Sequence, residues 1–339
     1  MVADGKGNVD EEYGRVSIHD LGRLDSGRLG RMLIGSWRAF FAIRKIKPAI
    51  VHFHDPELIP LGMLLKVIGY TVIYDVHEDV PRQTISKHWI PIIIRKPVAW
   101  IISGVEWWVG QVFSAIVPAT PKIAHRFPCI KTVTIQNFPI ATEMVLPMSI
   151  PYAVRPQSFA YLGLIATIRG AVEMVRAIEL LDDMPGARLD LAGVYSPHGL
   201  AETLRALPGW SSVNYHGQIS RKQVAHLLGG ARAGLVLLHP LTNYIDSQPI
   251  KMFEYMSAGL PVVASDFPLW RRIIDGAGCG LLIDPLNPKA IEEAMRWILD
   301  HPAEAEAMGR RGRQAVERTY NWDAEASKII SLYNKLLAP

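Results

Sequence analysis

The stretch Leu237–Ser265, LLHPLTNYIDSQPIKMFEYMSAGLPVVAS, sets the reading of the whole chain. It opens as a buried strand that stops at His239-Pro240, and a loop follows. A helix then starts near Pro249 and stops at Gly259, and Pro261 opens the next strand. Pro in the first turn and Gly just past the end are the expected punctuation of a helix. Strand, helix and Val-rich strand in succession make one unit of a parallel sheet covered on both faces. Lys251 falls in the first turn of that helix. The helix dipole already places partial positive charge there, so a cation is locally unfavourable. It makes sense if an anion such as a phosphate binds the free amides. Glu254 lies three residues on, on the same face. A carboxylate at that place can accept from the vicinal hydroxyls of a ribose. Asp246 precedes the helix, with seven residues between it and Glu254. The competing reading is a solvated helix start with a chance Lys–Glu pair. The position directly after a strand favours a ligand site.

The same rhythm extends both ways. FAYLG (159–163), ARLDLAG (187–193), SVNYHG (212–217) and CGLLID (279–284) read as further strands, with helical patterns between them. Upstream, AIVHF (49–53), TVIYDV (71–76), SAIVPA (114–119) and TVTIQN (132–137) read as strands, and ELIPLGMLLKVIG (57–69) as a helix closed by Gly69. Continuous Val/Ile runs point to buried parallel strands. From Ile140 to Gln157 the pattern stops and prolines gather, as in an interdomain connector. The expected fold is therefore α/β, with two Rossmann-like parallel-sheet domains facing across a cleft. The boundaries read 1–140, a linker at 141–157, a second domain at 158–320, and a C-terminal helix at 321–339 that packs back toward the first domain. A doubly wound domain should open with a strand and helix at its sheet centre. Here VADGKG looks like a strand end and turn, so the first βα unit reads as missing.

The 339 residues exceed one typical core, and 49% hydrophobic with 20% charged residues fits a packed globular chain. Cys129 and Cys279 stand far apart and form neither a disulfide framework nor a zinc pattern, which fits a reducing cytoplasm. A net charge of +4 is a mild bias toward anionic partners. Met1–Tyr13 has no apolar signal-peptide core. Pro97–Val117 is long and apolar with Glu106 its only charge, and reads as a buried helix running into a strand rather than a membrane span. Residues 82–108 interleave Arg82, Lys87, Arg95 and Lys96 with Trp89, Ile92–Ile94 and Trp100. That mixture suits peripheral contact with an anionic membrane.

Other strand ends carry further candidates. Leu162 to Gly170 is a strand end, loop and helix start in which Arg169 would face a diphosphate as a guanidinium fork. The competing reading is a solvated arginine. His77 follows TVIYDV directly and would act as hydrogen-bond partner or proton shuttle, or only cap the next helix. VHFHDPE holds His52, His54, Asp55 and Glu57, a composition that can mean metal. HxHD lies partly within a strand, whose alternate side chains point to opposite faces, so no metal is expected. GAGCG (276–280) imitates a dinucleotide fingerprint, but no helix follows it.

With these residues in place, the chain resembles the retaining glycosyltransferases of family 4, which have the GT-B fold. The marks are YDVHED, the Tyr-bearing loop running into PIKMFEYMSAGLPVVASDFPLW, and RGRQAVERTYNWDAEA, and they span nearly the whole chain. The resemblance implies a retaining, metal-independent hexosyltransferase with no cofactor beyond its co-substrate, a nucleotide-diphosphate sugar held by the second domain. It implies Glu254 on the donor ribose and Asp246, shorter than the usual residue, on the sugar hydroxyls. Ser247 and Gln248 would approach the sugar and β-phosphate, Arg169 and Lys251 the phosphates, and the backbone near Gly217 and Ile219 the base. Leu164 stands where an arginine is usual. His77 matches the first-domain histidine placed near the reacting sugar. A glycan or lipid-linked acceptor in polysaccharide synthesis, at the cytoplasmic face of a membrane, is the expected setting, and no nucleic acid is expected. A non-catalytic GT-B copy is the alternative.

Overall fold

The computed structural model describes residues 17–23, 27–86, 90–145 and 150–338. Met1–Tyr13, Lys87, Trp89 and residues 146–149 of the connector lie outside these. The chain divides into two units, Met1–Gln136 with Ser327–Pro339, and Asn137–Ala326.

The second unit is built on six parallel strands: β4 Ser158–Leu162, β5 Arg188–Ala192, β6 Val213–Gly217, β7 Ala233–Val236, β8 Val262–Ser265 and β9 Gly280–Ile283. Their order is β6-β5-β4-β7-β8-β9. The chain steps outward from β4 to β6, then restarts on the other side of β4 with β7. The connections leaving β4 and β7 run to opposite sides, which opens a crevice at the carboxyl ends of these two strands. Every residue of β4, β7 and β8 is buried because apolar layers cover both faces of the sheet.

The helix Ile250–Ser257 is locked onto that switch point. Pro249 caps it, and Gly259 (φ 72°) follows its end. Lys251 through Ser257 are all buried. Gly234 on β7 lets it approach, since a Cβ there would lie 2.2 Å from the Tyr255 ring. Tyr255 therefore reaches β4, where its hydroxyl accepts from the Leu162 amide at 2.9 Å.

The first unit has three parallel strands in the order β1-β2-β3: β1 Ile50–Phe53, β2 Thr71–Val76 and β3 Ala115–Pro118. Two expectations are corrected here. TVTIQN is no full strand: it makes one bridge, Ile116 to Thr132, and the amides of Val133 and Ile135 donate to Ile116 and Pro118 at 3.0 and 3.1 Å. The apolar segment does run as a helix, Ile92–Val112, into β3, but it is buried on one face only. Its inner face carries Ala99, Val109, Gly110 and Glu106, whose carboxylate pairs with Arg126. Burial pushes the Glu106 carboxyl up, against the pull of Arg126. Its outer face exposes Trp100, Ile101, Trp107 and Trp108. Among the described residues no helix is long and apolar enough to cross a membrane.

The carboxyl ends of β4 and β5 approach through Gly163 and Gly193. Gly193 sits at φ 148°, and a Cβ there would lie 1.7 Å from the Gly163 carbonyl oxygen. No side chain fits, because the obstacle is backbone. Gly193→Ala is expected to cost about 2–4 kcal/mol. Urea unfolding followed by circular dichroism would show the midpoint fall, whereas an unchanged midpoint would contradict this account of the sheet edge.

Candidate functional site

At the switch point the sequence places a cation that makes no hydrogen bond among the described residues. The Lys251 Nζ is buried and makes no hydrogen bond. It sits 3.8 Å from the centroid of the Tyr161 ring, a cation–π contact with a residue of β4. Burial pushes this ammonium well below the ordinary lysine range, the nearby Arg169 guanidinium pushes it further, and Glu254 opposes both. Arg169 ends the turn Thr167–Arg169 after β4, and its Nε is also buried without a hydrogen-bond partner. Two cations thus converge on one place at the carboxyl ends of β4 and β7. A buried ammonium is costly unless something pairs with it. Groups left unpaired in a native interior mark places where a ligand completes the arrangement.

The neighbouring residues are held firmly. Ser247 follows the short helix Thr242–Ile245; its amide and hydroxyl both donate to the Tyr244 carbonyl, at 3.0 and 2.9 Å. Its own carbonyl accepts from the buried Trp270 indole at 2.7 Å. Asp246, half-buried, caps the end of the same short helix. Gln248 turns its Oε1 into the interior without a hydrogen bond. Gly217 ends β6 at φ 65°, and its carbonyl accepts from the Gly193 amide at 2.7 Å. Ile219, two residues on, packs half-buried on the core. Glu254, on the buried helix, accepts from Arg221 Nη1 at 2.6 Å. Arg221 is gripped on its other side by Glu143, at 2.9 and 2.7 Å. Lys251, Arg169 and Glu254 are therefore close enough to act on one another. Arg221, Glu143 and Tyr161 escaped the sequence reading, because each reaches the site from another element with no local motif, and Trp270, though it ends the quoted motif, was given no role there.

His77 belongs to the first unit, and it is not alone. His52 ends in β1, and His54 follows that strand. Asp75 is the penultimate residue of β2, and His77 directly follows the last, Val76. The register pairs Phe53 with Tyr74, so His54 and Asp75 fall side by side. Residues two apart share a face, so His52 and His54 join Asp75 and His77 rather than diverging. This corrects the expectation of opposite faces: β1 stops at Phe53, and His54 lies beyond it. The Asp75 Oδ2 lies 3.4, 3.0 and 3.3 Å from His52 Nε2, His54 Nδ1 and His77 Nε2. Burial pushes the Asp75 carboxyl up, but the three imidazoles outweigh it and hold the acid well below the usual carboxylate range. The bond to Asp75 raises His77 above the ordinary histidine value, against burial.

The electrostatics of Lys251 fix a prediction. In the window between its depressed value and about 10.5, the unfolded chain binds more protons than the folded one, so stability rises with pH there. Lys251→Met removes both the cost and the dependence. The ligand-free variant is expected to melt a few degrees above wild type below that window, with the difference closing toward high pH. A melting temperature below wild type at every pH would contradict the account.

Residues 153–315 match the family model described as Glycosyl transferases group 1. The chain is 28% identical over 194 residues to a D-inositol 3-phosphate glycosyltransferase of Kineococcus radiotolerans, a match covering 52% of this chain and 43% of that relative. The chain thus spans less than half the length of that curated relative. Among solved structures it is similar to a sucrose-phosphate synthase from Thermosynechococcus elongatus, with a TM-score of 0.69 at 19% identity over 93% of this chain and 82% of that one. It is similar also to Anabaena Alr3699/HepE in complex with UDP-glucose, with a TM-score of 0.72 at 11% identity over 95% and 87%. The two parallel-sheet units share their fold, GT-B, with these solved structures.

Proposed function

We infer that this chain is a glycosyltransferase that moves a hexose, with retention, from a nucleotide-diphosphate sugar to an acceptor hydroxyl. The observation that carries this reading is the buried Lys251 ammonium without a hydrogen bond, beside Arg169, at the switch point of the six-stranded sheet. A diphosphate supplies the missing negative charge. Glu254 uses one carboxylate oxygen on Arg221, which leaves the other for the ribose hydroxyls. Asp246, Ser247 and Gln248 meet the sugar and β-phosphate, and the backbone at Gly217 and Ile219 meets the base. His77 stands by the reacting sugar. In this reading the departing diphosphate is stabilised by fixed charges already in place, and it takes the acceptor proton itself. The UDP-glucose named with the HepE structure supports a nucleotide sugar as the donor class.

The acceptor in this reading is a glycan or lipid-linked glycan at the inner face of a membrane. The outer face of Ile92–Val112 supports it: Ile92, Ile93, Trp100 and Ile101 are exposed beside Lys96. Trp and basic residues together seat a helix at an anionic interface.

Three experiments test these statements. In a thermal-shift screen, one nucleotide family should raise the melting temperature by mass action. Glu254→Ala should weaken that nucleotide sugar by about tenfold or more, near 1.4 kcal/mol, while Asp79→Ala should matter little. Full binding by Glu254→Ala would place the donor elsewhere. The product anomer, read by NMR, decides retention. For the membrane, the chain should cosediment with phosphatidylglycerol vesicles and less so with phosphatidylcholine. Trp100→Ala with Ile93→Asp should abolish it; sedimentation unchanged in this double variant would remove the helix from the interface.

A further inference from the structure

Three side chains of the first unit close a triangle that hydrogen bonds alone do not satisfy. His54 Nδ1 lies 3.0 Å from His77 Nε2 and 3.0 Å from Asp75 Oδ2, and His77 Nε2 lies 3.3 Å from the same oxygen. Each imidazole nitrogen carries at most one proton and the carboxylate carries none. If both nitrogens are protonated toward Asp75, two N–H groups face each other. If one donates to the other nitrogen, a lone pair faces the carboxylate. Every distribution leaves one edge repulsive. A cation seated over the triangle, accepting a lone pair from each atom, satisfies all three.

The dimensions agree. Ligands about 2.1 Å from a metal stand about 3.0 Å apart at right angles and about 3.4 Å apart in a tetrahedron. The observed edges of 3.0, 3.0 and 3.3 Å fall in that range. A second observation points to the same place. The buried His52 Nε2 makes no hydrogen bond, yet it lies 3.4 Å from Asp75 Oδ2. Its ring is aimed by the other nitrogen, which lies 2.6 Å from the Tyr333 hydroxyl. A histidine whose second nitrogen is fixed by a partner is the usual arrangement around a metal. Asp55 and Glu78 lie near enough to His77 to add negative potential. On the solvent side, the His54 and His77 side chains are 61% and 38% exposed, so an ion enters freely and keeps open positions.

We propose that His54, Asp75 and His77 form a solvent-open site for one divalent transition-metal ion, with His52 behind it. Two imidazoles and one carboxylate select zinc-like ions over magnesium or calcium. Because the ion occupies His77 Nε2, it withholds that atom from a sugar. This consequence, that zinc inhibits transfer, rests on the transferase reading; the binding does not.

The test uses the untagged full chain, stripped with EDTA and titrated with Co2+, then Zn2+, without donor or acceptor. The expected result is one equivalent bound, a visible cobalt d–d spectrum, and displacement of cobalt by zinc. His54→Ala, at the exposed corner, should lower the affinity at least about tenfold with unchanged circular dichroism, and Asp75→Asn should do the same. His239→Ala, a histidine of the second unit, should bind as wild type. No cobalt spectrum, or a spectrum undiminished in folded His54→Ala, overturns the site. In a separate assay with donor and acceptor, a chain that binds cobalt and transfers no sugar keeps the metal site and loses the transferase reading; the reverse result does the opposite.

Discussion

A lysine ammonium held in the interior against the face of Tyr161 is the contact on which the second unit turns. Its place follows from topology. The strand order reverses beside β4, the helix Ile250–Ser257 is pressed onto the gap, and Gly234 clears room for Tyr255 to bolt the helix to β4. With the helix fixed there, Lys251 and Glu254 have no route to solvent. Their charges are met by neighbours: Glu254 takes Arg221, and Lys251 takes the face of Tyr161 and the nearby charge of Glu254. The strain of an unmet charge is thereby stored at the carboxyl edge of the sheet, where ligands of this architecture bind.

Much of this was legible in the chain itself. Strand–helix alternation gave the parallel sheets, because fully buried strands leave continuous apolar runs. Proline and glycine bracketed the helix of Lys251 and Glu254. What stayed hidden depends on register and on distant elements. Arg221 and Glu143 stand far from Glu254 in sequence, and only the packing of their elements brings them together. The triangle of His54, Asp75 and His77 needs the pairing of β1 with β2, which a single strand cannot reveal. TVTIQN had strand composition, but it runs at the edge of a small sheet and makes few bonds there.

The two units manage charge in opposite ways. In the second, one carboxylate and two cations share a dry place. In the first, one carboxylate faces three imidazoles that are partly wet. Beside Tyr74 of β2, Glu106 is buried on the inner face of a helix whose outer face is aromatic and exposed. The Glu106–Arg126 pair secures that helix on its inner side, which leaves its tryptophans on the exposed face.

The bridge through Arg221 has one more consequence. Glu143 belongs to the segment before β4, outside the sheet, yet it grips the guanidinium that bonds Glu254. The carboxylate is thus held ready by a tether anchored in the connecting chain. A change at residue 143 removes one of the two carboxylates on Arg221 and so alters how much orientational freedom Glu254 surrenders on meeting a ligand. Variation in an unremarkable connector can therefore retune affinity without touching the ligand at all.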